Sequence, residues 1–323
     1  METRKLIKFG ESSFVISVPQ SWVSKHKLSK GDSVYLEEQE KGLIVNPNKE
    51  ELKKEKRIGI SATGKNINTI HREIISAYLN NYNMIEITGK DIVLKAKEIT
   101  DFIRKLMSFE IIEQTSNKII VKDFLNLKDI SVQDIVRRMD IVTRAMIEDA
   151  KLCVKKDMCE NIDYRDYDVN RFYYLIFRVI KGSTKNPNIA KILKVTQGEL
   201  LDYYRLISSI EDVADCIKRI ARSLRTIKLN PKKTKELLGL VDSCQNLYLE
   251  IMKAFYNKDK DLADKYSELG KELMIECNDF VKENRALEAS EVVEKLKVII
   301  KEMRTVARLI LNMELDELQK PKV

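Results

Sequence analysis

The fold class predicted is mainly α: a β-hairpin module first, a small α/β unit in the middle, and two tandem three-helix bundles last. Three observations lead there. Charged residues make up 33% of the 323 residues against only 10 Gly and 5 Pro, a balance that favours long solvated helices over loop-rich β architectures. From Ser131 onward apolar residues recur at spacings of three and four, the period of one helix face. Before that point, short runs rich in β-branched and aromatic residues are separated by turn signals. The 44% apolar content supplies sizeable cores.

Residues 1 to 47 make the hairpin module. RKLIKF, the turn Gly10-Glu11-Ser12-Ser13 and FVISVP read as one hairpin. Pro19 then opens a short helix over 20 to 26, with Trp22 and Val23 as its apolar pair. Lys30-Gly31-Asp32 turns the chain into a second hairpin, SVYLEE with GLIVNP, around 39 to 41. A unit of fewer than 50 residues buries too little surface to be stable alone, and dimerisation is the simplest remedy. Residues 48 to 57, dominated by Lys and Glu, read as a linker or a short solvated helix.

Residues 58 to 125 carry the strand RIGISA, a helix over 66 to 79, the strand MIEIT, a helix over 92 to 107, and the hairpin FEIIEQ/KIIVKD turning at Ser116-Asn117. Gly64 and Gly89 each precede a lysine without flanking glycines, which implies turns rather than a phosphate-binding loop. Residues 126 to 230 and 231 to 323 form the two bundles, six long helices in all, joined across Asn230-Pro231. Further breaks fall at 156 to 164, 181 to 188, 257 to 260 and 284 to 285.

The charge of +8, from 58 basic and 50 acidic residues, is too small an excess to establish nucleic-acid binding. Its placement says more: Arg4, Lys5, Lys8, Lys25, Lys27 and Lys30 face only Glu2 and Glu11 in the first 30 residues. Cys153, Cys159, Cys216, Cys244 and Cys277 form no CxxC pair, and only His26 and His71 could add imidazole, which argues against a zinc site or disulfide framework. No apolar run approaches the roughly 20 residues that span a bilayer, and the N-terminus has no signal-peptide core. A cytoplasmic protein without a transmembrane segment is expected. Neither histidine stands with a Ser, Cys or Asp in a catalytic constellation, so no enzyme is expected.

The order RKLIKFGESSFVISVPQSWVSKHKLSKGDSVYLEEQEKGLIVNP resembles the SpoVT/AbrB/MazE-type swapped-hairpin DNA-binding fold. The resemblance implies two interleaved chains, a homodimer, with basic residues toward DNA; Arg4, Lys5, Lys8, Lys25 and Lys27 are the matching positions. Lysines there would neutralise phosphates, a salt-dependent interaction that selects bases weakly. Ser12, Ser13, Val23 and Ser24 stand where such modules often carry arginines, so strong sequence reading is not implied. The alternative is that the lysines only solvate a dimerisation module.

The helical half, strongest over 168 to 224 in DVNRFYYLIFRVIKGSTKNPNIAKILKVTQGELLDYYRLISSIEDVADCIKRIARSL, resembles the PhoU family of phosphate-uptake regulators. The three-part order looks like the archaeal-type arrangement of an AbrB-like segment before PhoU-like bundles. That family implies two three-helix bundles, Glu/Asp-x-x-x-Asp metal motifs, and partners such as a phosphate transporter or sensor histidine kinase. Glu211 and Asp215 match the motif, four apart and on one helix face, where they could hold a divalent or iron-type cation in the first bundle. Asp212 lies about 100° around the helix. The alternative for the pair is a solvated face or an ion pair with Lys218 or Arg219. In the second bundle Arg308 stands at the expected acidic position and Glu302 has Val306 four residues on, so at most one metal site is implied. Tyr173, Tyr174, Tyr203 and Tyr204 are expected to pack helix seams, and Cys216 to be a small buried residue.

Two functions follow from these resemblances: a dimeric DNA-binding transcriptional regulator of phosphate uptake, or a cytoplasmic adaptor that regulates a phosphate transporter or kinase by protein contact, its hairpins only dimerising.

Overall fold

The computed structural model describes residues 3–39, 42–47, 55–154, 159–186, 188–284 and 286–318. Most of the expected linker over 48 to 57 lies outside them. The chain divides into two compact units, Met1–Lys56 and Arg57–Val323.

The first unit holds two separate antiparallel pairs. Strand β1 (Ile7–Phe9) pairs with β2 (Ser13–Val15), Ile7 opposite Val15, and Gly10 makes the turn with φ +71°. Helix α1 (Gln20–Lys25) follows Pro19. Strand β3 (Tyr35–Gln39) then pairs with β4 (Gly42–Asn46), Leu36 opposite Val45. Among its described residues none is buried: Leu6, Phe9, Phe14 and Leu36 keep 63–70% of their surface exposed.

The second unit opens with β5 (Arg57–Ser61), α2 (Ile67–Leu79), β6 (Met84–Thr88), α3 (Ile92–Ile103), β7 (Phe109–Gln114) and β8 (Lys118–Asp123). The sheet order is β5-β6-β8-β7, with β5 parallel to β6 and β8 antiparallel to both neighbours. Ile85 and Ile87, two apart, share one face of β6 and are fully buried. Ile70, Ile74 and Tyr78 on α2 and Ile92, Ile99 and Ile103 on α3, at helical spacing, close the same core. Helix α3 stops four residues short of the expected 107. Leu106 turns into the core, and Ser108 adopts φ +68° with its Oγ donating to Asp123 Oδ1 at 2.9 Å, which reverses the chain into β7.

Helices α4 (Val132–Leu152), α5 (Cys159–Ser183) and α7 (Gln197–Thr226) form the first bundle, with a short α6 (Asn188–Ile192) between the last two. Helices α8 (Pro231–Asn257), α9 (Lys260–Glu283) and α10 (Leu287–Leu318) form the second. Helix α5 begins at Cys159, inside the expected break over 156 to 164, because Ile162 is buried and Asp166 is 7% exposed, so its first turns have partners to pack against. Thr196 and Glu199 close a capping box on α7, and Asn230 caps α8 ahead of Pro231. One continuous apolar core runs through both bundles, with α7 against α10 at its centre.

Polar contacts fasten these parts at defined points. Glu302 of α10 accepts from Arg205 and Ser209 of α7, each at 2.9 Å. Asp140 of α4 accepts from Arg144 at 2.8 Å and from the Tyr256 hydroxyl of α8 at 3.0 Å. Arg178 of α5, 1% exposed, pairs with Asp123 of β8 and donates to Asn81 Oδ1 at 3.1 Å, tying the first bundle to the α/β part.

Candidate functional site

Glu211 and Asp215 lie on α7 where it faces α5. Four-residue spacing puts both on one side of the helix, and the neighbours decide what each can do. Asp215 is held by Lys218 at 3.0 Å and Arg219 at 2.7 Å, the next cations along its own helix. Lys218 reaches across to Asp166 of α5 at 2.8 Å, and Asn170 donates to the same carboxylate at 3.1 Å. The result is an alternating chain of acid and base spanning two helices. These cations hold the Asp215 carboxyl below its usual range against the opposing effect of burial.

Glu211 is the exception. Burial comes first, then the negative charges of Asp212, Asp215 and Asp166, and together they push its carboxyl up to about 7. Lys218 opposes them. Tyr173, Tyr174 and Tyr204 surround this face, with Phe177 5.4 Å from Tyr204 ring to ring. They pack seams between helices. Asp212 is exposed, and it feels Glu302 of α10 as its strongest charged neighbour.

A cation at this place would need donors beyond the two. Both Asp215 oxygens already face Lys218 and Arg219, and among the described residues no group of three or more His, Cys, Asp or Glu side chains could hold a metal ion. Asp215 and Asp166 are joined through Lys218 in an internal ion-pair chain that Arg219 extends. Arg308, the departure in the second bundle, is exposed and donates to Thr305 at 3.1 Å. Arg304 instead crosses Gly270 of α9, where an added Cβ would meet its Cδ at 3.0 Å.

In the hairpin unit Arg4, Lys5, Lys8, Lys25 and Lys27 are all exposed, so the unit presents positive charge beside exposed apolar side chains. His26 packs near Trp22 at 4.9 Å, and His71 stacks on Phe102 at 3.9 Å with its pKa lowered by burial. Cys216 is buried and its thiol pushed up to about 11, which leaves it protonated and unreactive at neutral pH. Among the described residues no helix is long and apolar enough to cross a membrane.

Asp166 and Arg178 are among the charged positions that escaped the sequence reading. Asp166 lay next to an expected helix break, so its face could not be phased; Arg178 was visible only as the single charge in the run FYYLIFRVI.

No family model matches this chain, and no curated protein matches it. Solved structures to which it is similar include PhoU from Pseudomonas aeruginosa, at 17% identity and TM-score 0.48 over 57% of this chain and 96% of that one. Another is the phosphate transport system regulatory protein PhoU from Streptococcus pneumoniae, at 15% identity and TM-score 0.41 over 58% and 96%.

Proposed function

We propose that this chain is a non-enzymatic adaptor in the control of phosphate uptake. Its six-helix body binds a transporter or sensor kinase by protein contact, and its hairpins hold two copies together. The observation that carries the adaptor role is the single core running through both bundles, clamped by Glu302 and Asp140. Such a body offers partners a rigid set of helix faces rather than a reaction centre. The phosphate connection comes from the sequence resemblance over 131 to 318. Dimerisation rests on the hairpin unit, whose exposed Leu6, Phe9, Phe14 and Leu36 a second copy would cover. No step of the proposal runs through a metal.

A second reading, DNA binding by the hairpin dimer, is favoured by the exposed Arg4, Lys5, Lys8, Lys25 and Lys27. The two separate in one experiment. Phosphate uptake is followed in cells lacking the chain, then after return of wild type or of Arg4→Glu/Lys5→Glu/Lys8→Glu. Full restoration by the variant supports the adaptor. Failure of a variant that is still dimeric, with a salt-sensitive mobility shift by wild type on particular genomic fragments, transfers the role to DNA. Uptake that never responds to the chain removes both.

A further inference from the structure

Between α8 and α9 runs a groove of about 390 Å³. Its floor is apolar, made by Leu247 of α8 with Tyr266, Leu269 and Leu273 of α9, and Leu269 stays 39% exposed. Its rim is acidic: Asp242 from α8, Glu272 and Glu276 from α9. Asp242 shares Lys151 of α4 with Glu148. Glu272 and Glu276, one turn apart, have no cation within ion-pair distance among the described residues.

Three nearby exposed acids are instead matched by a lysine three residues on, at Glu268–Lys271, Asp279–Lys282 and Glu294–Lys297. Like charges at four-residue spacing repel by a few tenths of a kcal/mol. In a chain of net charge +8, a rim on which Glu272 and Glu276 are uncompensated, beside an apolar floor, is complementary to a segment that is apolar on one face and cationic beside it.

We propose that this groove docks a basic amphipathic helix of a partner protein. Apolar side chains at helical spacing seat on Leu269 and Tyr266, above the buried Leu247 and Leu273, and flanking Lys or Arg meet Glu272 and Glu276. This deepens the adaptor reading and rests on it. A transporter partner offers such segments because the cytoplasmic loops of membrane proteins are enriched in Lys and Arg.

The test uses the full chain and a labelled Leu/Lys amphipathic peptide of about 18 residues, long enough to form a helix, with its Leu/Glu counterpart as control. Saturable binding of the Lys peptide alone is expected. Glu272→Lys/Glu276→Lys and, separately, Leu269→Asp should each weaken it roughly tenfold. Glu98→Lys/Asp101→Lys, the same change of charge on α3, should shift it less than about twofold. Equal losses in both charge variants, or no saturable binding, would reduce the effect to general attraction and overturn the proposal. Loss of the dimer in the groove variant, with its melting temperature kept, would assign the groove to a second copy instead. Absent peptide binding with uptake control retained sinks the groove alone; binding retained without uptake control sinks the adaptor reading alone.

Discussion

Replacing Arg178 with methionine tests whether the α/β part and the first bundle are joined by a buried charge. The Arg178 and Asp123 side chains are 2% and 6% exposed, so both partners are desolvated. The guanidinium donates to Asp123 and Asn81 and lies 4.6 Å from the Tyr78 ring centre and 5.4 Å from that of Phe109. Methionine preserves much of the apolar contact and removes every donor. Asp123 is then left with Ser108 Oγ at 2.9 Å and the Leu125 N–H at 3.1 Å, two donors but no countercharge. Breaking a buried pair from one side costs about 3–5 kcal/mol. With those donors retained the lower end applies, about 3 kcal/mol, or a Tm loss of roughly 6–12 °C for a unit of this size. The companion Arg178→Met/Asp123→Asn variant removes the stranded charge while Asn still accepts from Ser108 and Leu125, so it should recover at least half of the loss. Urea and thermal unfolding of these two variants and of Asp123→Asn alone complete the cycle. A single-variant cost below about 1 kcal/mol, or a double variant that merely sums the two, would refute the claim that this pair couples the two parts.

The other predictions concern the carboxylate cluster and a turn. Glu211 titrates near 4.5 when unfolded and about 7 when folded, so the native state holds the extra proton in that window and stability falls as pH rises through it. Glu211→Gln should flatten that slope and gain roughly 1–2 kcal/mol above pH 7, discounted for solvent at a half-buried site; urea midpoints that run parallel to wild type at about pH 5 and about pH 8 would contradict this. Gly89→Ala should destabilise by roughly 1–3 kcal/mol, because φ is +155° and the new Cβ would lie 2.9 Å from Thr63 Oγ1 and 3.0 Å from its backbone nitrogen. Gly64→Ala, at φ +72° with nothing within 4 Å, should cost less, and melting curves that reverse this order would show that contact with Thr63 is not the constraint.

What could be read in advance divides by whether an interaction lies within one helix or between two. The three-four apolar spacing placed α7 to α10, and alternation placed β7 and β8, because each pattern is a local consequence of the backbone repeat. The same locality made the Asp215 pairing legible: Lys218 and Arg219 stand three and four residues on, where any helix brings them within reach. Lys218 with Asp166, Arg205 with Glu302 and Arg178 with Asp123 were not legible. Each depends on the rotation of two elements about their own axes, which the packing of the whole core sets. The raised Glu211 pKa combines both kinds of fact. In sequence Asp215 has cations three and four residues on, whereas Glu211 has Ala214 and Asp215 there and Asp212 beside it. Packing then buries Glu211, the largest cause of its shift, and brings Asp166 of α5 to add to the like charges of Asp212 and Asp215. A same-face pair of acids therefore indicates where charge gathers, while burial acts most on the one whose own helix gives it no cation.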